Sequence, residues 1–153
     1  MESDDHLSAL LTAAKTVAVV GIKDRPEEDA YRVPDYMRRA GYRILPVNPK
    51  LTQVFDMPCR ASLGEVDEPI DLVNLFRASE HVPAHVDEIL ALEPRPKIVW
   101  MQLGIHHGEA AQRLRDGGIE VVQDRCIMVD HRRLLGDGSR DARAAGTPIE
   151  ERA

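Results

Sequence analysis

The sequence predicts an α/β fold, a doubly wound parallel sheet of five strands with helices on both faces and strand order 3-2-1-4-5. Three observations carry this. Short apolar runs such as Val17–Val20 show no alternation, as strands buried on both faces require. Helical patterns alternate with these runs along the chain, as right-handed parallel crossovers demand. The first run ends on Gly21, whose missing Cβ permits a sharp turn into the next helix. The 153 residues are enough for one domain with a real core, placed at residues 1–135. Residues 136–153 read as a disordered tail, because Gly, Asp, Arg, Ala and Pro dominate them.

Ser3, Asp4 and Asp5 offer caps for a first helix with Leu7, Leu10, Leu11 and Ala14 at helical spacing. Strand one is Thr16–Gly21, and the polar stretch Lys23–Asp29 with Pro26 is a loop. A second helix starts near Val33, since Pro34 is tolerated only in a first turn, and it stops at Gly41. Strand two, Tyr42–Val47, ends at Asn48-Pro49, and Lys50–Ala61 is a loop. Ser62-Leu63-Gly64-Glu65 fits a capping box for one helical turn. Strand three is Ile70–Phe76. A helix with Pro83 near its start buries Val86, Ile89 and Leu90, and Pro94 and Pro96 close it. Strand four is Ile98–Gln102, a helix covers Glu109–Arg115, strand five is Ile119–Val122, and a last helical piece spans Ile127–Leu135.

A net charge of −6 argues against a general nucleic-acid binder. It leaves room for an anionic ligand in a locally positive pocket. Cys59 and Cys126 form no CxxC pattern, and Met1–Lys15 carries acid where a signal peptide is basic. No apolar run approaches a membrane span. The expected compartment is the cytoplasm.

In a doubly wound sheet, ligands bind beyond the carboxyl ends of the strands, beside strand one. Gly21–Arg25, Asn48–Lys50, Phe76–Ser79, Met101–Gly104 and Asp124–Cys126 fall there. The loop Gly21-Ile22-Lys23-Asp24-Arg25-Pro26 has one glycine, and strand two ends without a carboxylate. Both depart from a dinucleotide fingerprint. Lys23, Arg25, Lys50 and Arg77 sit on neighbouring strand ends. Each alone reads as a solvated loop charge, and together they could converge on phosphates.

VAVVG with its polar loop, YRVPDYM, GYRILPVNP, DLVNLFRASEHVP and VWMQLGIHHGEAAQRLRDGGIEVVQDRC together resemble the stand-alone CoA-binding domain family. That family is similar to the CoA-binding domain of the succinyl-CoA synthetase α-subunit. The resemblance covers about residues 10 to 135. It implies a Rossmann-like fold holding coenzyme A or an acyl-CoA. By it the pyrophosphate lies at Gly21, Ile22, Lys23 and Arg25 and at the helix start with Tyr31, Arg32 and Val33. Asn48, Pro49 and Lys50 line the second strand end, Phe76, Arg77 and Ser79 lie near the adenosine, and Gln102 and Gly104 come from the fourth. The family often has a small residue and a serine after the glycine, where this chain has Ile22 and Lys23.

No catalytic residue is assigned. His81 and His85 read as helix surface, His106 and His107 as solvated loop, Cys126 as a small buried hydrophobe and Trp100 as core. A pairing of Cys126 with His106 or His131 needs a proximity that spacing does not supply. The expected function is a small binding or regulatory module for CoA or an acyl-CoA, without a catalytic role and with no membrane or nucleic-acid partner. The alternative is an NAD(P)-dependent oxidoreductase or another nucleotide-using enzyme.

Overall fold

A computed structural model describes residues 2–136. The expected tail lies, apart from Gly136, outside the described residues. The elements are α1 (Asp4–Ala13), β1 (Thr16–Val20), α2 (Asp29–Arg39), β2 (Arg43–Val47), β3 (Gln53–Val54), β4 (Met57–Pro58), β5 (Leu72–Leu75), α3 (Val82–Leu90), β6 (Ile98–Met101), α4 (Gly108–Asp116), β7 (Glu120–Val122) and α5 (Ile127–Leu134). Ser3 caps α1 by accepting the His6 amide at 3.1 Å.

The main sheet is wholly parallel, in the order β2-β1-β5-β6-β7. The doubly wound class holds, and the expected order is corrected. Counting only these strands, the order is 2-1-3-4-5, so the third strand pairs with the first and not with the second. Pro46 supplies a physical reason. It has no N–H for a ladder bond, which suits an edge strand and not the interior place that 3-2-1-4-5 would give it. Strand β1 sends alternate residues to opposite faces. Val17 and Val19 join Leu7, Leu11, Val33, Met37 and Ile127 beneath α1, α2 and α5. Ala18 and Val20 join Val82, Val86, Ile89, Ala111 and Leu114 beneath α3 and α4.

Helix α2 begins four residues before the expected Val33, with Pro34 inside it. Proline cannot bond the carbonyl of the residue four back, here Ala30. That carbonyl instead accepts the Lys23 amide at 3.2 Å, which ties the loop after β1 to the helix. The loop after β2 contains the unexpected β3–β4 hairpin, turning through Phe55 and Asp56 at φ 57° and 60°. The Phe55 ring is held between Tyr31, 4.9 Å between centroids, and the Arg38 guanidinium at 4.6 Å. The expected box at Ser62 becomes a 3-10 turn, Leu63–Glu65, with no cap bond from the Ser62 side chain. Among the described residues, no helix is long and apolar enough to cross a membrane.

Candidate ligand site at the carboxyl edge

Strand β1 leads through α2 to β2 on one side, and β5 leads through α3 to β6 on the other. The chain therefore changes direction between β1 and β5, and the crevice of the fold opens above their carboxyl ends. Gly21 closes one side of it. Its φ is +88°, and a Cβ there would stand 2.4 Å from the Phe76 carbonyl oxygen and 3.2 Å from Arg77 Cδ. The glycine is thus required first by the neighbouring backbone. The Arg77 stem lies over it.

The loops along this edge are tied to one another in pairs. Asn48 Nδ2 donates to the Ile22 carbonyl at 2.7 Å, and Asn48 Oδ1 accepts the Lys50 amide at 2.8 Å. Beyond β5, Ser79 Oγ accepts the His106 amide at 3.0 Å. The Gly104 amide donates to Asp124 Oδ1 at 2.6 Å, and the His107 amide to Gln123 Oε1 at 2.7 Å. Between the loop after β1 and the loop after β5, no side-chain bond exists among the described residues. The seam at the change of direction is the untied one.

The sequence-derived cations fall into two groups. Lys23 Nζ lies 3.6 Å from Glu28, and Arg25 lies 3.5 Å from Glu27 and 3.3 Å from Glu28. Arg32 is paired to Asp29. Arg77 and Lys50, by contrast, have no ion pair and no side-chain hydrogen bond among the described residues. Arg77 is half-buried, whereas Lys50 is exposed.

The other expected ligand residues are placed as follows. Gly21, Tyr31, Phe76 and Ser79 are half-buried at the edge, and Pro49 is exposed there. Ile22 is 0% and Val33 1% exposed, so both side chains belong to the core and only their backbone could meet a ligand. The corrected strand order moves Gln102 and Gly104 one strand away from the crevice. Gln102 is 5% exposed, and its Oε1 accepts Asn74 Nδ2 at 3.3 Å and the Ile127 amide at 3.2 Å. It caps α5 from inside the sheet.

Three functional details escaped the sequence. His107 is the N-cap of α4, its Nδ1 accepting the Ala110 amide at 3.1 Å, and not a solvated loop residue. The spacing of His107 before Ala110 was the available signal. Asp130, buried in α5, takes Arg125 through both oxygens at 2.6 and 3.0 Å, and this pairing raises the Arg125 pKa. The carboxylates Glu27 and Glu28 stood in plain sight beside the cations they hold.

Among the described residues, neither cysteine is hydrogen-bonded to a histidine. Burial raises the Cys59 thiol's pKa, and its Sγ donates to the Asn48 carbonyl at 3.6 Å. His131 Nδ1 bonds the Tyr36 hydroxyl at 2.8 Å, and His85 bonds Glu88 at 3.1 Å. A cleft of about 270 Å³ lies at the opposite, amino edge, and its Asp67, Glu68 and Glu93 have the wrong sign for phosphates.

Comparison with known proteins bears on this geometry. The family model described as CoA binding domain matches residues 15–132. The uncharacterized protein YneT of Bacillus subtilis is 40% identical over 129 residues, covering 84% of this chain and 94% of that protein. A solved structure from Thermus thermophilus, described as cell-free ID.343, superposes with a TM-score of 0.82 at 44% identity. It covers 87% of this chain and 99% of that one. The ADP-forming acetate–CoA ligase of Methanocaldococcus jannaschii is 25% identical over 84 residues, 55% of this chain and 12% of the ligase.

Proposed function

This chain belongs to the CoA binding domain family, and from that premise we propose that it is a small module that binds coenzyme A or an acyl-CoA above β1 and β5 and catalyses no reaction of its own. The observation that carries the reading is Arg77. Arg77 is half-buried as a residue, its guanidinium makes no hydrogen bond or ion pair among the described residues, and a phosphate beside it would meet that planar fork of donors. Its stem packs over the turn at Gly21, with Cδ 3.2 Å from where a Cβ would stand. In this reading the pyrophosphate lies against Gly21–Arg25 and Arg77, with Tyr31 and Arg32 at the helix start and Asn48–Lys50 beside them. Phe76 and Ser79 border the adenosine. Arg77 thereby moves from the adenosine to the pyrophosphate.

The geometry disfavours a nicotinamide dinucleotide. Dinucleotide sites of this fold hold the ribose with a carboxylate at the end of β2, where this chain has Asn48, its side chain engaged with Ile22 and Lys50. The ligase relative matches over a small part of its length, so ligase chemistry is not carried over to this chain. A carrier, sensor or regulatory subunit fits what remains. Free Cys59 and Cys126 keep the cytoplasm as the proposed compartment.

Isothermal titration calorimetry with CoA, acetyl-CoA and NADH tests the proposal. Heat from CoA or acetyl-CoA and silence from NADH are expected. Binding of NADH with CoA silent would overturn it.

A further inference from the structure

We infer that Glu28 is a latch: its carboxylate pairs with both cations of the loop after β1, and a phosphate-bearing ligand must displace it. The inference rests on the proposed CoA site and concerns its regulation. The carboxylate reaches Lys23 at 3.6 Å and Arg25 at 3.3 Å, so one side chain holds both. Glu28 stands at the N-cap of α2 but makes no side-chain cap bond, so no hydrogen bond of the helix holds its carboxylate there.

The backbone on both sides of the latch is fixed. The Glu28 amide donates to the Arg25 carbonyl at 2.9 Å, and its carbonyl accepts the Tyr31 and Arg32 amides at 3.0 and 2.9 Å. The Lys23 amide is pinned to the carbonyl that Pro34 leaves free. Release therefore needs only rotation of the Glu28 side chain. The pairs are exposed, at 49% for Lys23, 67% for Arg25 and 40% for Glu28, and exposed pairs are weak enough to exchange readily. A phosphate and Glu28 compete for the same two cations and for the same positive end of α2.

Glu28→Gln keeps the shape and removes the one carboxylate that both cations share, while Glu27 stays 3.5 Å from Arg25. CoA affinity, measured by calorimetry, should rise about fourfold, the size of a unit-charge interaction about 5 Å away in water. Glu80→Gln, which removes a carboxylate from the same edge without touching Lys23 or Arg25, should change it less than about twofold. Lys23→Met should cost more affinity in the Glu28→Gln background than in the wild type, because only the wild type recovers a displaced pair. Thermal melts of the ligand-free variants should match the wild type. Wild-type binding with Glu28→Gln no tighter than Glu80→Gln, or with an equal cost of Lys23→Met in both backgrounds, overturns the latch alone. No CoA binding by the wild type removes the site reading itself.

Discussion

Replacing Gly21 with Ala tests why this position is glycine. The φ of +88° disfavours any residue with a Cβ, at about 1–2 kcal/mol. The added carbon would also stand 2.4 Å from the Phe76 carbonyl oxygen, which is backbone and cannot swing away. Relief would pull β5 from β1 where the Phe76 amide donates to Val20 at 2.9 Å. Overpacking of this kind costs about 1–3 kcal/mol. Together the change should destabilise the protein by about 3 kcal/mol, and with a urea slope of about 2 kcal/mol/M the midpoint should fall by about 1.5 M. Gly104 is the internal control. Its φ of +86° carries the same backbone penalty, but nothing lies within 4 Å of a Cβ there. Gly104→Ala should therefore lower the midpoint by only about 0.5 M. Urea unfolding of the two ligand-free variants decides the matter. Equal losses would refute the reasoning, and equal stability with CoA binding lost only in Gly21→Ala would return the glycine to the ligand alone.

Arg77→Met should weaken CoA binding at least tenfold, since charge-assisted hydrogen bonds contribute about 1.5–3 kcal/mol, while the urea midpoint stays unchanged or rises; lower stability with unchanged affinity would refute its role. Joint replacement of Lys23 and Arg25 by Ala should cost less affinity than Arg77→Met, because those cations begin in ion pairs; a larger loss would place the phosphates on the outer loop. The hydrogen bond from His85, with a backbone bond from Leu63, holds the Glu88 carboxyl below its usual range. A depressed folded value means that its stabilisation is complete above the unfolded pKa of about 4.3 and is lost as the pH falls through the folded value. Glu88→Gln should flatten the acid limb of stability in urea melts, and an unchanged limb would deny Glu88 that role.

The doubly wound class was legible because period-2 and period-3.6 patterns report which faces are buried. Strand order was less so, because alternation does not say on which side of β1 the long 48–71 connection returns. Pro46 carried that information, since a proline in a strand marks an edge. Pro34 misled in the other direction. Its cost inside α2 is offset by a loop amide that reaches the Ala30 carbonyl, and no local pattern announces that partner. At the site, Gly21 and Arg77 could be picked out by position. Lys23 and Arg25 are held by carboxylates of their own loop, a local pattern, whereas the lack of a partner for Arg77 depends on how that loop folds beside the one after β5. Gln102 was misread for a similar reason: a polar residue at a strand end can serve a ligand or the next helix, and only the Ile127 amide distinguishes them.

The edge ties support the proposed place of the site. Asn48 joins the loops after β1 and β2, Ser79 joins those after β5 and β6, and Gly104 and His107 join those after β6 and β7. Each tie satisfies side-chain polar groups within the protein. The β1–β5 seam keeps a glycine turn and an unpartnered arginine instead. Its floor is set by the contact of Gly21 with Phe76, which cannot change without disturbing the sheet. On the proposed reading, affinity there follows which anion the side-chain cations hold.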